Sequence, residues 1–149
     1  MSAYTWTLRV TSTDGRTARV SSGRHQFVVT RPLTFDVEAD GLSALEYTLG
    51  ALGGELVTGL RELGRRRRVN LEALEAVVTG ELNNPLTYLE VVGEEGDAAL
   101  SRVQMKLYVS SSEPAATIEA LVRHAVDLLP QARTFRSLVS LELVVRCTP

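Results

Sequence analysis

Residues Ser43 to Leu63 read SALEYTLGALGGELVTGLREL. Leu45, Leu49, Leu52, Leu56, Leu60 and Leu63 recur every three or four positions, which at the helical period stacks them on one face. That face must be covered, so the stretch predicts a long helix around which the chain is organised. Ser43, with Glu46 three residues on, forms a capping box just after the turn residues Asp40-Gly41. Gly64 and the run Arg65 to Arg68 stand where a C-terminal cap and cations favourable to the helix dipole belong. Gly50, Gly53, Gly54 and Gly59 each cost about 1 kcal/mol against alanine in a helix interior, so they point to other backbone packed close by.

On either side of this helix the chain reads mostly as strands. Tyr4, Trp6, Leu8 and Val10 alternate with Thr5, Thr7 and Arg9, the period of a strand with one apolar face, and Tyr4, Trp6 and Phe27 read as core aromatics. Asp14-Gly15 and Ser22-Gly23 are turn chemistry, so residues 17–21 and 24–30 complete an antiparallel meander. After the helix, Leu74, Ala76, Val78, Gly80 and Leu82 mark a half-buried strand, stopped by Asn83-Asn84-Pro85. Leu86 to Val92 fits a helical turn or a strand equally, and Gly93 to Asp97 is a solvated loop. Val103, Met105, Leu107 and Val109 form another strand face. Pro114 opens a second amphipathic helix through Ile118, Leu121, Val122, Ala125, Leu128 and Leu129, closed by Pro130. Residues 138–145 are a last strand, with Val139, Leu141, Leu143 and Val145 on its apolar face. Three strands, a helix, two strands, a helix and a strand is an α+β order, and 149 residues suit one domain, 1–149.

Charge excludes some partners. Sixteen Lys and Arg against eighteen Asp and Glu leave a net charge of −2, so no overall field favours nucleic acid or an anionic membrane. Arg65 to Arg68 read as a solvated helix end, since no aromatics interleave with them. With no apolar run of signal-peptide length or of the roughly 20 residues of a membrane span, a cytoplasmic protein is expected. A single cysteine, Cys147, cannot form an internal disulfide or a cysteine-based metal cage. His25 and His124 lack metal-ligand spacing, so neither a metal nor another cofactor is expected.

The segment SALEYTLGALGGE resembles the helix of the OsmC/Ohr family, the osmotically induced and organic hydroperoxide resistance proteins. That helix runs Ser-Pro-x-Glu, then leucines and alanines, then Gly-Gly-Cys or Ala-Ala-Cys. Ser43, Glu46, Leu49, Ala51, Leu52, Gly53 and Gly54 fall in register with it. The segment LPQARTF, from Leu129, resembles the family's Cys-Pro-x-x-x-Thr-Leu. The resemblance implies an OsmC-like fold, antiparallel β-sheets wrapped around two central helices in an intertwined homodimer, with the site at the dimer interface.

It also implies what is missing. The family's peroxidatic and resolving cysteines correspond here to Glu55 and Leu129, and a carboxylate cannot be oxidised to a sulfenic acid as a thiolate can. The family's ion-pairing glutamate falls at Leu45, while Glu46, nine positions before Glu55, is roughly half a turn out of phase on a straight helix. The family's arginine aligns with Thr13, leaving Arg16, Arg19 or Arg24 to substitute. The resemblance therefore implies a homodimer of the oxidative-stress family without thiol peroxidase activity. Its interface pocket, drawn from Glu55, Leu129, Leu45, Leu52, Arg16 and Arg24, would bind a small apolar molecule or serve a structural role. The alternative is an enzyme, either a residual hydroperoxide reductase using Cys147 or one using Glu55 as a general acid or base.

Overall fold

The structure, a computed structural model, describes residues 4–149. Among them the elements run β1 (Arg9–Thr11), β2 (Ala18–Ser22), β3 (His25–Val29), α1 (Ala44–Arg67), β4 (Ala73–Leu82), α2 (Pro85–Tyr88), β5 (Leu100–Ser110), α3 (Ala115–Leu128), α4 (Pro130–Leu138) and β6 (Ser140–Thr148). The class is α+β. The chain divides into two compact units, one ending at Thr48 and the other beginning at Leu49.

The first unit is the antiparallel sheet β1-β2-β3 and the start of α1. The Phe27 and Tyr47 rings lie 4.7 Å apart and tie β3 to the first helical turns. The capping box forms as its spacing predicts. Ser43 N–H and Oγ–H donate to Glu46 Oε2 at 2.7 and 2.8 Å, and Glu46 N–H donates back to Ser43 Oγ at 3.3 Å. The predicted first strand is cut to three residues, and Tyr4 (84%), Trp6 (81%), Leu8 and Val10 stand exposed. Phe27 is also exposed at 41%, which corrects the core role read for the aromatics. Alternation specifies an apolar face, but within this small three-stranded sheet only Val20 is buried, so the first strand has little to pack its face against.

The second unit holds the core. Leu52, Leu56 and Leu60 of α1 meet Val103, Met105, Leu107 and Val109 of β5, with Ile118, Leu121, Val122 and Ala125 of α3. β4 pairs antiparallel with β5, but β6 runs parallel to β5, so this sheet is mixed where antiparallel pairing was expected. The reason is the connection. Two helices separate β5 from β6, and a crossover of that length returns the chain in the same direction.

Other boundaries differ as well. α1 runs past Gly64 to Arg67, and the left-handed residue that ends it is Arg68, with φ +58°. Gly64 is buried against Leu71 instead of capping the helix. Pro114 is the N-cap of α3 and provides no side-chain bond, although the hydroxyl of Ser111 accepts the N–H of Glu113 just before it. Pro130 does not end the helical region. It occupies the first turn of α4, a nine-residue helix that moves the start of the predicted last strand to Ser140 and makes Val139 a C-cap, and the strand itself runs on to Thr148. Residues 85–88 settle the ambiguous segment as a single helical turn capped by Asn84.

Candidate functional site

Glu55 lies in the middle of α1, half-buried, and its carboxylate is directed at the start of α4. Gln131 N–H donates to Oε1 at 2.8 Å, and Ala132 N–H donates to Oε2 at 2.9 Å. The residue at the N-cap of α4, Leu129, has no side chain able to accept these bonds. Glu55 therefore acts as a cap from a distant part of the chain, placing full negative charge on the positive end of a helix dipole. Both carboxylate oxygens are engaged. No guanidinium of the second unit forms an ion pair with Glu55.

Leu129 completes the arrangement from the other side. A methyl group built on Gly59 would lie 2.6 and 2.7 Å from the two terminal carbons of Leu129, so that side chain occupies the notch the glycine leaves in α1. Glu55 and Leu129 thus sit at one junction between α1 and the α3–α4 corner. The corner is closed further by Arg136, whose guanidinium meets Asp127 at 2.7 Å, and by Arg133, which donates to the Asp127 carbonyl at 3.1 Å.

The remaining predicted pocket residues belong to both units. Leu52 is fully buried in the core. Leu45, half-buried, donates its N–H to the Pro32 carbonyl at 3.3 Å within the first unit. Arg16 and Arg24 are exposed there too, and Arg16 contributes a backbone N–H to the Asp14 carboxylate at 2.9 Å. A groove of about 490 Å³ between α3, α4 and β6 has Val122, Val126, Leu143 and Val145 in its lining, without Glu55 or Leu129. Cys147 is exposed near the end of β6, opposite Val109 in the sheet register. Among the described residues no group of three or more His, Cys, Asp or Glu could hold a metal, and no helix is long and apolar enough to cross a membrane.

Sequence reading missed the partner of Glu55, because it is the backbone of a helix that went unrecognised. The signal was Pro130, a first-turn proline preceded by no Ser, Thr, Asp or Asn.

Neither a family model nor a curated protein sequence matches the chain. Solved structures do. An OsmC-like protein from Mycoplasma pneumoniae superposes with a TM-score of 0.78 at 15% identity, covering 99% of this chain and 98% of that one. An organic hydroperoxide resistance protein from Legionella pneumophila gives 0.71 at 16% identity, over 97% and 98%. One from Elizabethkingia anophelis gives 0.72 at 14% identity, over 99% and 100%. The chain is similar to these proteins along nearly its whole length, and what it shares with them is the OsmC-like fold.

Proposed function

We propose that the chain, read as one OsmC-like domain, is a cytoplasmic homodimer of the oxidative-stress, organic hydroperoxide resistance class that works without thiol peroxidase chemistry. At the position of the family's peroxidatic cysteine it carries Glu55. The observation that carries the reading is that both Glu55 oxygens accept backbone N–H groups at the start of α4. Each oxygen keeps a further lone pair, but a carboxylate fixed by two backbone amides at the start of a helix is placed as a cap, which supports a structural role for this junction over a general-base reaction. The position keeps its preference for an anion and gives up its redox chemistry.

The homodimer is supported by a stretch of α1 backbone left uncovered in one copy. Gly50 and Gly54 of α1 are exposed, and a methyl group built on either would meet nothing within 4 Å. Two helix glycines with no intrachain reason to be small are accounted for by a second copy lying against them.

The test is reduction of an alkyl hydroperoxide by the purified protein with a dithiol as electron donor. We expect no turnover above background, and none lost in Cys147→Ser. Turnover abolished by Cys147→Ser would overturn the reading. In the paired variant Glu55→Cys, Leu129→Cys, we expect turnover to appear, since amides at a helix N-terminus favour a thiolate at position 55.

A further inference from the structure

The second unit carries opposite charges at its two ends. α1 closes on Arg65, Arg66, Arg67 and Arg68, of which Arg66 pairs with Glu62. Beside this run lies a groove of about 410 Å³ lined by Arg67, Val69, Ala116, Thr117, Ala120 and Leu121. Val69 N–H bonds the Gly64 carbonyl at 2.9 Å, and the Arg61 guanidinium donates to the carbonyls of Leu71 and Glu72. The cations therefore sit where β4 begins.

β4 runs ten residues, about 33 Å at the usual strand rise, before residues 84–97 start. That segment holds Glu90, Glu94, Glu95 and Asp97 and no cation. It also exposes Leu86, Tyr88, Leu89 and Val91 at 41% to 51%, and Val92 at 99%. The segment is firmly built. Asn84 donates its N–H to the Asp97 carbonyl at 2.9 Å and its side-chain amide to Glu94 Oε2 and the Glu95 carbonyl at 2.9 and 3.0 Å. A compact loop holding five large apolar side chains in water needs a partner, and its four carboxylates specify a basic one.

We propose that residues 84–97 of one copy seat on the arginine run and groove of a second copy, the two lying antiparallel so that the contact forms twice. The proposal rests on the homodimer reading above and names its contact. A second copy is chosen because the chain carries the loop's complement at the opposite end of the same unit. Two such bodies side by side and reversed satisfy both ends at once, as a two-fold interface requires. The apolar loop residues cover the groove, and the carboxylates face Arg65, Arg67 and Arg68, giving register and salt dependence.

Sedimentation equilibrium tests this on three variants of the full chain: Glu90→Arg/Glu95→Arg, Arg65→Glu/Arg67→Glu, and all four changes together. We expect a wild-type dimer whose dissociation constant rises at least tenfold between about 0.1 M and about 1 M salt, as the Debye length falls from about 10 Å to about 3 Å. Each paired variant should weaken the dimer at least tenfold, and the fourfold variant should recover it, a result that misfolding cannot produce. Dimers of unchanged strength in both paired variants would overturn this contact and leave the homodimer standing. A wild-type chain that stays monomeric would overturn both.

Discussion

Glu55 Oε1 accepts the backbone N–H of Gln131 at 2.8 Å across 76 residues of chain. With Oε2 on Ala132 N–H, one side chain does for α4 what an N-cap serine or aspartate does for most helices. We expect Glu55→Ala to lower stability by about 0.5–2 kcal/mol, the usual range for a lost cap, measured by urea unfolding. Glu55→Gln should fall between, because an amide offers one acceptor and turns a donor toward the second N–H. An unchanged denaturant midpoint in Glu55→Ala would remove the capping role.

The notch at Gly59 gives a paired prediction. Alanine gains about 1 kcal/mol of helix propensity over glycine, but here its methyl meets Leu129, and overpacking costs about 1–3 kcal/mol. Gly59→Ala should therefore destabilise the protein. In a Leu129→Ala background the notch is empty, and the same change should be neutral or stabilising. Equal effects of Gly59→Ala in the two backgrounds, read as a double-mutant cycle, would show that the residues do not couple.

These two relationships mark the division between what the sequence discloses and what it hides. The α1 leucines, the Ser43–Glu46 box and the alternation in β4 and β5 are patterns within a few residues, fixed by helix and strand geometry, and the structure keeps them. α4 escaped notice because its cap lies on another helix, and because Pro130 reads as a stop as readily as a start. Gly64 reads as a terminator, yet it is small because Leu71 folds back on it. Of the candidate site, Glu55 stands out in the sequence as a lone charge among leucines and glycines, but its partners do not, since backbone amides carry no sequence signature.

The turn between β1 and β2 predicts a pH effect. Asp14 is held down to about 2 from 3.8, first by the Thr17 hydroxyl, then by the backbone N–H groups of Arg16 and Thr17. Because the folded value lies below the unfolded one, the stabilisation is present above about pH 3.8 and is lost as pH falls toward about 2. Carboxyl-carbon NMR should place the Asp14 midpoint near 2, and Thr17→Val should move it up. A native midpoint near 3.8 would contradict the turn geometry.

Across the second sheet, Arg102 of β5 lies 2.6 Å from Glu142 on β6 and 3.6 Å from Glu81 on β4. All three side chains are about half exposed, so we expect Arg102→Ala to cost no more than about 1 kcal/mol. The Glu142 carboxyl is held below its usual range chiefly by its bond from Arg102, and it should titrate higher in the variant. The carboxyl shift is the more sensitive readout. An unmoved Glu142 would show that the ladder is not formed in solution.

Asn84 separates local from global stability. Besides its three donor bonds into residues 94–97, its side-chain oxygen accepts the Leu86 N–H at 3.1 Å, and its carbonyl accepts the Thr87 hydroxyl at 2.7 Å. Every one of these bonds lies within residues 84–97, while β4 and β5 are joined along their own length by ten register pairs. Removing the side chain in Asn84→Ala should therefore loosen the loop and leave the sheet intact. Hydrogen exchange at the Leu86, Thr87, Val91 and Glu94 amides should quicken about tenfold or more, with the Val103 and Met105 amides unchanged. Slowing of association in this variant, at an unchanged unfolding midpoint, is expected too, because a loop that must be ordered on contact docks with a larger entropic cost. Equal quickening at Met105 would mean that the loop and sheet open as one unit.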